Sequence, residues 1–301
     1  MKKYVLVLLT ALLVAGCEKP IVGDVEYDDD DDVIEAGVNT KKFKFTVKGD
    51  FSSPVFQGDG VMRAAEYMYA DGRAMTDLWV FDFMNGECVQ TVHQQPDDDG
   101  WGVPAMSLQL GEHHVYFVAS RGGNPVVNAT TKSITWERPS DTFWKDYEVN
   151  VVSTSNGNRA VTLDRIVTKL KVTVTDEVPA GCTSLVLTPE TWYHSLNYQT
   201  GAVGGSQAEA HAVSVPAAYV GTSGQLAVSL FCLSGATEWT TDITVQAKNT
   251  GGDVLGAATI TDAPFLRNRS TEYSGTLFSS SSNTMDVGLE TTWGTPHVGT
   301  F

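Results

Sequence analysis

The segment KKFKFTVKG (residues 41–49) alternates apolar and polar side chains with a period of two. Phe43, Phe45 and Val47 fall on one side of an extended chain, and lysines and a threonine fall on the other. This alternation is typical of a strand with one face in an apolar core and the other in water. The segment therefore predicts a half-buried β-strand.

The rest of the chain continues in pieces of strand length, separated by turns rich in Gly, Asn and Asp. DLWVFDFM (77–84) is apolar on both faces, which predicts a strand in a sandwich interior. Other predicted strands are 88–93, 106–110, 113–120, 146–152, 184–189, 211–216, 225–233, 241–249, 254–261, 270–278 and 285–293. Only VMRAAEYMYA (61–70) has helical composition. The spacing predicts an all-β chain of antiparallel β-sandwich architecture.

Residues 159–176 (RAVTLDRIVTKLKVTVTD) fit two interpretations. One face of a helix would be lined by Ala160, Leu163, Val167 and Leu170, whereas the segment from Ile166 onward alternates in a period of two. β-Branched residues dominate the segment and favour strand. We therefore predict strands with a break near Asp164.

The number of strands sets the number of domains. Around a dozen strands exceed the roughly seven of one sandwich. Two sandwiches in tandem fit the 301 residues better. We place them at 36–160 and 161–301, with the boundary near 155–165.

The N-terminus has the features of a bacterial lipoprotein signal. Lys2 and Lys3 precede an apolar run that is too short to span a membrane, and Ala15 and Gly16 lead directly into Cys17. We predict removal of residues 1–16 and acylation of Cys17 with diacylglycerol and an N-acyl chain, which together anchor stably to a membrane. The alternative is an ordinary secretory peptide with an incidental cysteine.

Residues 17–35 predict an acidic flexible tether, because residues 28–32 are five consecutive aspartates that repel one another. Calcium binding is the alternative, but the run lacks the spaced glycine and terminal glutamate of a calcium loop. The run resembles the acidic export signal of some Bacteroidetes surface lipoproteins, although it lies farther from Cys17 than is usual.

Charge and cysteine content narrow the classes of partner and site. The chain has 36 acidic and 20 basic residues, a net charge of −16, which disfavours nucleic acid and anionic lipid as partners. Cys88, Cys182 and Cys232 form an odd set without CxxC spacing, so neither a disulfide framework nor a zinc site is predicted. Cys232 lies in an apolar run and is predicted to be buried. A bond between Cys182 and Cys232 stays open.

We find no catalytic signature and predict no enzymatic activity, cofactor, metal ion or small-molecule substrate. The six histidines show no metal-binding spacing, and neither a nucleophile elbow nor a P-loop is present. His113 and His114 should point to opposite faces of one strand. Glycan binding is an alternative function, and core packing is the ordinary explanation for the aromatic residues that would support it. Those residues are Trp101, Trp192, Tyr193, Tyr198 and Trp239.

Three stretches together resemble a known family. DTFWKDYEVNVV (141–152), NRAVTLDRIVTKLKVTVTDEVPAG (158–181) and PFLRNRSTEYSGTLF (264–278) are similar to the FimB-type minor fimbrial subunits of Bacteroidetes. The resemblance implies two transthyretin-like β-sandwiches on a surface-exposed, lipid-anchored protein of the outer membrane. It also implies an anchor at the base of a fimbria, with fimbrial pilin subunits as partners and no enzymatic activity.

The resemblance also suggests a role for the last strand. The resemblance implies assembly in which a C-terminal strand of one subunit fills a groove in the next, a form of strand addition. After the linker SSSSN (279–283), alternate residues form a candidate donor strand. They are Met285, Val287, Leu289, Thr291 and Trp293. The alternative, that this strand completes its own domain, is kept open.

Overall fold

A computed structural model describes residues 39–49, 75–224, 226–279 and 286–289. Within these ranges the chain forms strands and one 3₁₀ turn at Ala217–Tyr219, and no α-helix. The predicted all-β sandwich class is therefore confirmed. The strands are β1 (Thr40–Gly49), β2 (Asp77–Met84), β3 (Glu87–Gln94), β4 (Ala105–Gln109), β5 (Gly111–Ser120), β6 (Val126–Asn128), β7 (Ser133–Thr135), β8 (Thr142–Val151), β9 (Asn158–Arg165), β10 (Val167–Val174), β11 (Ser184–Pro189), β12 (Ser195–Asn197), β13 (Val203–Gly204), β14 (His211–Ser214), β15 (Leu226–Leu233), β16 (Trp239–Lys248), β17 (Val254–Phe265), β18 (Ser270–Gly275) and β19 (Asp286–Leu289).

The first sandwich is formed by one sheet of order β3-β2-β5-β8-β9-β1-β4. Strands β8 and β9 are joined by only two residue pairs, Phe143 with Arg165 and Trp144 with Asp164. The two parts of the sheet on either side of this join pack against each other across a core, in which Phe43 and Phe45 of β1 pack with Phe117 of β5. As predicted, the apolar residues of β1 are fully buried.

The second sandwich has two sheets, of order β15-β10-β18-β19 and β14-β11-β16-β17. Leu170 and Val172 of β10 face Ile243 and Val245 of β16 across its core, and Trp192 lies in the same cluster. Although the sequence predicted antiparallel pairing, β1 pairs in parallel with β9 and β10 in parallel with β18. Parallel neighbours need long connections, so hairpin turns in the sequence do not indicate them.

The ambiguous segment 159–176 consists of two strands, β9 and β10, which confirms the strand interpretation. The break falls at Ile166, close to the predicted position. The Ile166 N–H donates to Thr142 O (2.9 Å), and its carbonyl accepts from the Ser234 N–H (2.8 Å). Thr142 belongs to the first sandwich, and Ser234 follows β15 of the second. Ile166 is therefore hydrogen-bonded to both sandwiches.

A fourth sheet, of order β13-β12-β7-β6, combines short strands from the two halves of the chain. Ile134 of β7 pairs with Leu196 of β12. Both belong to a buried group that we call the joint cluster. Its members are Trp79, Phe81, Phe83, Tyr116, Val118, Ile134, Trp136, Ile166, Val167, Leu196, Tyr198 and Leu233. The joint cluster explains the two apolar faces of β2, because one face enters the first core and the other enters this cluster.

The described cysteines are free thiols, so Cys182 and Cys232 do not form the bond left open above. Cys232 is fully buried, as predicted. Burial raises the pKa of its thiol well above the ordinary range, which makes the thiol unreactive. In the part of the chain that the structure describes, no helix has the length and apolar character needed to cross a membrane.

Candidate functional site

The residues predicted to act at the two ends of the chain are only partly described. Cys17, the tether and the helical segment 61–70 lie outside the described residues. Of the candidate donor strand, Met285, Thr291 and Trp293 also lie outside them, while Val287 and Leu289 belong to β19. The backbone of β19 pairs Val287 with Tyr273 and Leu289 with Thr271 of β18 in the same chain. Donation of this strand to another subunit stays a prediction.

The segment that leads to β19 is held by one carboxylate, Asp176. Its Oδ1 accepts the N–H of Leu277 (3.0 Å), and its Oδ2 accepts those of Phe278 (2.7 Å) and Ser279 (2.9 Å). Burial raises the pKa of Asp176, but these backbone N–H groups outweigh burial and hold the pKa below its ordinary value. Asp176 lies two residues after the end of β10, so it attaches the start of the C-terminal segment to the core sheet of the second sandwich.

We expect Asp176→Ala to increase amide hydrogen exchange at 277–279 by roughly tenfold or more, because hydrogen bonds to a charged acceptor are lost. In the parent protein, the lowered folded-state pKa means that this stabilisation is present above about pH 4 and is lost as pH falls through the folded value. Exchange measured by mass spectrometry and corrected for intrinsic pH dependence tests both points. Asp253→Ala, in a surface turn, is the control. An unchanged exchange rate in Asp176→Ala would contradict the assignment.

A buried ion pair lies where the two sandwiches meet. The Arg165 guanidinium donates from Nε to Asp141 Oδ1 (2.7 Å) and from Nη2 to Asp141 Oδ2 (3.1 Å). The two side chains are 2% and 0% exposed, which is rare for charged groups. Nη1 donates to Asn268 Oδ1 (3.2 Å) of the second sandwich, and the guanidinium lies over the Phe143 ring. Arg165 thus binds one sandwich by an ion pair and the other by a hydrogen bond.

Asp141, Arg165 and Asn268 come from the three stretches that carry the family resemblance, one from each. Main-chain bonds hold Asn268 in place within the second sandwich: the Asn268 N–H donates to Val167 O (2.8 Å), and the Lys169 N–H donates to Arg269 O (3.0 Å). The three stretches therefore mark a structural joint. Such an arrangement can hold two domains in one orientation and carry force between them.

The aromatic residues considered for glycan binding do not form an exposed platform. Trp101, Trp192 and Tyr198 are at most 2% exposed. Trp192 donates from Nε1 to Phe231 O (3.2 Å), and Tyr198 stacks on Phe81. Tyr193 and Trp239 are half-buried and pack edge-to-face against each other. Sequence reasoning could not separate the buried rings of Trp101, Trp192 and Tyr198 from exposed ones, because they lie outside the regular strands, where no alternation of apolar and polar residues indicates burial.

His113 and His114 point to opposite faces of β5, as predicted. His113 is buried and contacts Asp82 Oδ1 (2.7 Å) through Nδ1 and Gln109 O (2.9 Å) through Nε2. Burial raises the pKa of Asp82, and His113 opposes that shift. Asp82 and Gln109 therefore hold both nitrogens of the buried ring. Its position deep between β2 and β5 gives it a structural role.

The exposed His114 belongs to a group that sequence spacing did not reveal. Its ring and the carboxylates of Asp146 and Glu148 have ligand atoms within 4.8 Å of one another. The β5–β8 register places His114 opposite Glu148, far away in sequence. The group is the one set of potential metal ligands found in the described ranges. Since His114 already contacts Asp146 (3.1 Å) and exposed acidic groups commonly stand without an ion, we assign no metal to it.

Comparison with solved structures finds proteins that share this fold. A proposed adhesin from Bacteroides ovatus aligns with a TM-score of 0.50 and 10% identity over 84% of this chain and 95% of its own. A proposed cell adhesion protein from Parabacteroides distasonis aligns with a TM-score of 0.50 and 11% identity over 84% of this chain and 97% of its own. A fimbrial assembly protein from the same species aligns with a TM-score of 0.43 and 10% identity over 83% and 99%.

Comparison with protein-family models and with curated protein sequences finds no match. At these identities, the structural likeness shows a shared fold. That fold is the one implied by the resemblance of the three stretches, and it is found in proteins from Bacteroidetes.

Proposed function

We propose that this protein is a structural, non-enzymatic lipoprotein of the outer membrane that anchors a fimbria or serves as its minor subunit. The observation that carries the proposal is the joint between the sandwiches. The hydrogen bond from the ion-paired Arg165 to Asn268, a shared sheet and the main-chain hydrogen bonds of Ile166 fix the two domains to each other. This is the construction expected of a part that transmits force.

Three further points support the proposal. The fold is shared with the proposed adhesion proteins of Bacteroides ovatus and Parabacteroides distasonis. The N-terminal sequence has the features of a lipoprotein signal ending at Cys17. The acidic composition suits a hydrated cell surface, since a net charge far from zero favours solubility.

The partners in this proposal are fimbrial pilin subunits, and the contact is made by strand addition. Main-chain hydrogen bonds along an edge strand would supply affinity, and pockets for alternate side chains would supply specificity. β19 suits donation because it is the terminal strand of its sheet among the described residues and pairs only with β18 there. Asp176 would keep the root of the donated strand attached to its own domain.

Substitution Cys17→Ala in the cells that make this protein tests the anchor role. Without acyl chains the protein has no lipid attachment, so we expect most fimbriae to be lost from cells and to appear as long fibres in the medium. Electron microscopy and immunoblotting of cells and medium measure this. Cys88→Ala, a thiol of the folded body, is the control and should keep fibres on the cells. Cell-bound fibres in the Cys17 variant would remove the anchor role.

A further inference from the structure

The second sandwich has an open side between its edge strands β14 and β15. In the described residues, β14 pairs only with β11 and β15 only with β10, and the two strands belong to opposite sheets. A cavity of about 210 Å³ lies between them. Its lining includes Val213 of β14, Leu230 of β15 and the Trp192 ring. This volume is below the range of small-molecule sites, so the cavity suits one side chain better than a free ligand.

The outer edge of β15 offers main-chain groups for pairing. The Lys169 N–H points toward Arg269 on the β18 side, so the opposed pair of Lys169 and Phe231 is not hydrogen-bonded across β10 and β15. By alternation, Ala227 and Ser229 also direct their N–H and C=O groups away from β10. Among the described residues no hydrogen bond reaches these groups. At the far end of the same edge, the Leu233 N–H donates to Tyr193 O (3.1 Å), so a neighbouring main chain already hydrogen-bonds to this edge.

The cavity also holds polar groups that point to the chemistry of the occupant. His211 is 5% exposed, and its Nε2 has no hydrogen-bond partner. Burial lowers the pKa of His211; nearby Glu209 opposes this shift and Arg138 adds to it, so the ring is neutral at pH 7. Arg138 is the one charged residue that lines the cavity. With its proton on Nε2, the neutral ring donates there, so Nε2–H and the Arg138 guanidinium together suit a carboxylate, which accepts hydrogen bonds from both.

We propose that the open side between β14 and β15 receives an extended strand of a second polypeptide, which carries an apolar side chain next to an acidic one. The strand pairs with Ala227 and Ser229, its apolar side chain fills the cavity, and its carboxylate contacts Arg138 and His211. The proposal rests on the proposed function only in identifying that polypeptide as a fimbrial subunit. The second sandwich then accepts a strand beside β15. Strand β19 lies at the opposite edge of the same sheet.

Site-specific photocrosslinking in the fimbriated cells tests the occupant. A photoreactive phenylalanine analogue at position 229 is expected to crosslink to a fimbrial subunit, with the crosslinked peptide identified by mass spectrometry. The same analogue at Thr259, an exposed residue on the edge strand β17, is the control and should give no such product. No crosslink at 229, equal crosslinks at both positions, or a crosslink to another class of protein would overturn the proposal.

Edge-blocking variants test the pairing with the purified subunit identified by the crosslink. Ser229→Pro removes an outward N–H that the chain itself does not use, and proline is tolerated at such edge positions. We expect affinity for the subunit to fall by roughly tenfold or more, and Ser229→Ala, which keeps the N–H, to bind as the parent does. Unchanged binding by a folded Ser229→Pro would overturn the proposal.

Arg138→Glu is a second test of the same binding, which can be used if the proline variant does not fold. Arg138 is exposed, so the fold should survive the substitution, and an acidic strand should bind more weakly. Binding equal to the parent would again overturn the proposal. These outcomes are independent of the Cys17→Ala experiment, because they measure a contact between proteins and not attachment to lipid.

Discussion

Replacing Arg165 by alanine is expected to lower the free energy of unfolding by about 3–5 kcal/mol, since it leaves a buried carboxylate without its partner. Asp141 accepts two hydrogen bonds from Arg165 and is fully enclosed. Water cannot replace those bonds without opening the joint. The same change removes the bond to Asn268, so the link between the sandwiches weakens together with the fold.

Urea denaturation followed by circular dichroism measures this loss, because urea, unlike guanidinium chloride, leaves ion pairs unscreened. Lys145→Ala is the matched control on the neighbouring strand. It breaks the ion pair with Asp164, whose side chain is 60% exposed, and should cost no more than about 1 kcal/mol. If Arg165→Ala cost no more than this control, the buried pair would not hold the joint as described.

The double variant Asp141→Leu/Arg165→Met distinguishes the cost of an unpaired buried charge from the cost of lost side-chain packing. Replacing both members of a buried pair by apolar residues of similar size is often neutral or stabilising. We therefore expect the double variant to recover most of the stability that Arg165→Ala loses. A double variant as unstable as the single one would assign the loss to packing around Phe143 and not to the unpaired carboxylate.

Local patterns in the sequence predict the strands well, because the alternation of a half-buried strand is visible within a few residues. β1 and the β9–β10 pair were predicted on this ground. The short strands β6, β7, β12 and β13 were not predicted, since two or three residues cannot display a period. Their pairing across the two halves of the chain gives the shared sheet, which no local signal indicates.

The sites were harder to predict for the same physical reason. Asp141 and Arg165 are separated by 24 positions, and Asp176 lies about a hundred positions from the amides that it binds. Each residue alone resembles an ordinary surface charge in a strand or turn. Only the register of distant strands brings the partners together. The resemblance of the three stretches nevertheless marked this region, because those stretches converge at the joint.

Replacing Tyr198 by alanine is expected to cost about 3–5 kcal/mol, the range for truncating a large buried aromatic side chain. The Tyr198 ring stacks on Phe81 with centroids 3.9 Å apart, and its carbonyl accepts the Trp144 indole N–H (2.8 Å). Because the joint cluster contains residues from both halves of the chain, a cavity there weakens the coupling between the sandwiches. Calorimetry should therefore resolve two transitions where the parent shows one.

The control is Val126→Ala, at a 66% exposed position of the same sheet. It should change stability by no more than about 0.5 kcal/mol. One cooperative transition and a small loss in Tyr198→Ala would mean that the ion pair and main-chain bonds hold the sandwiches together without the joint cluster.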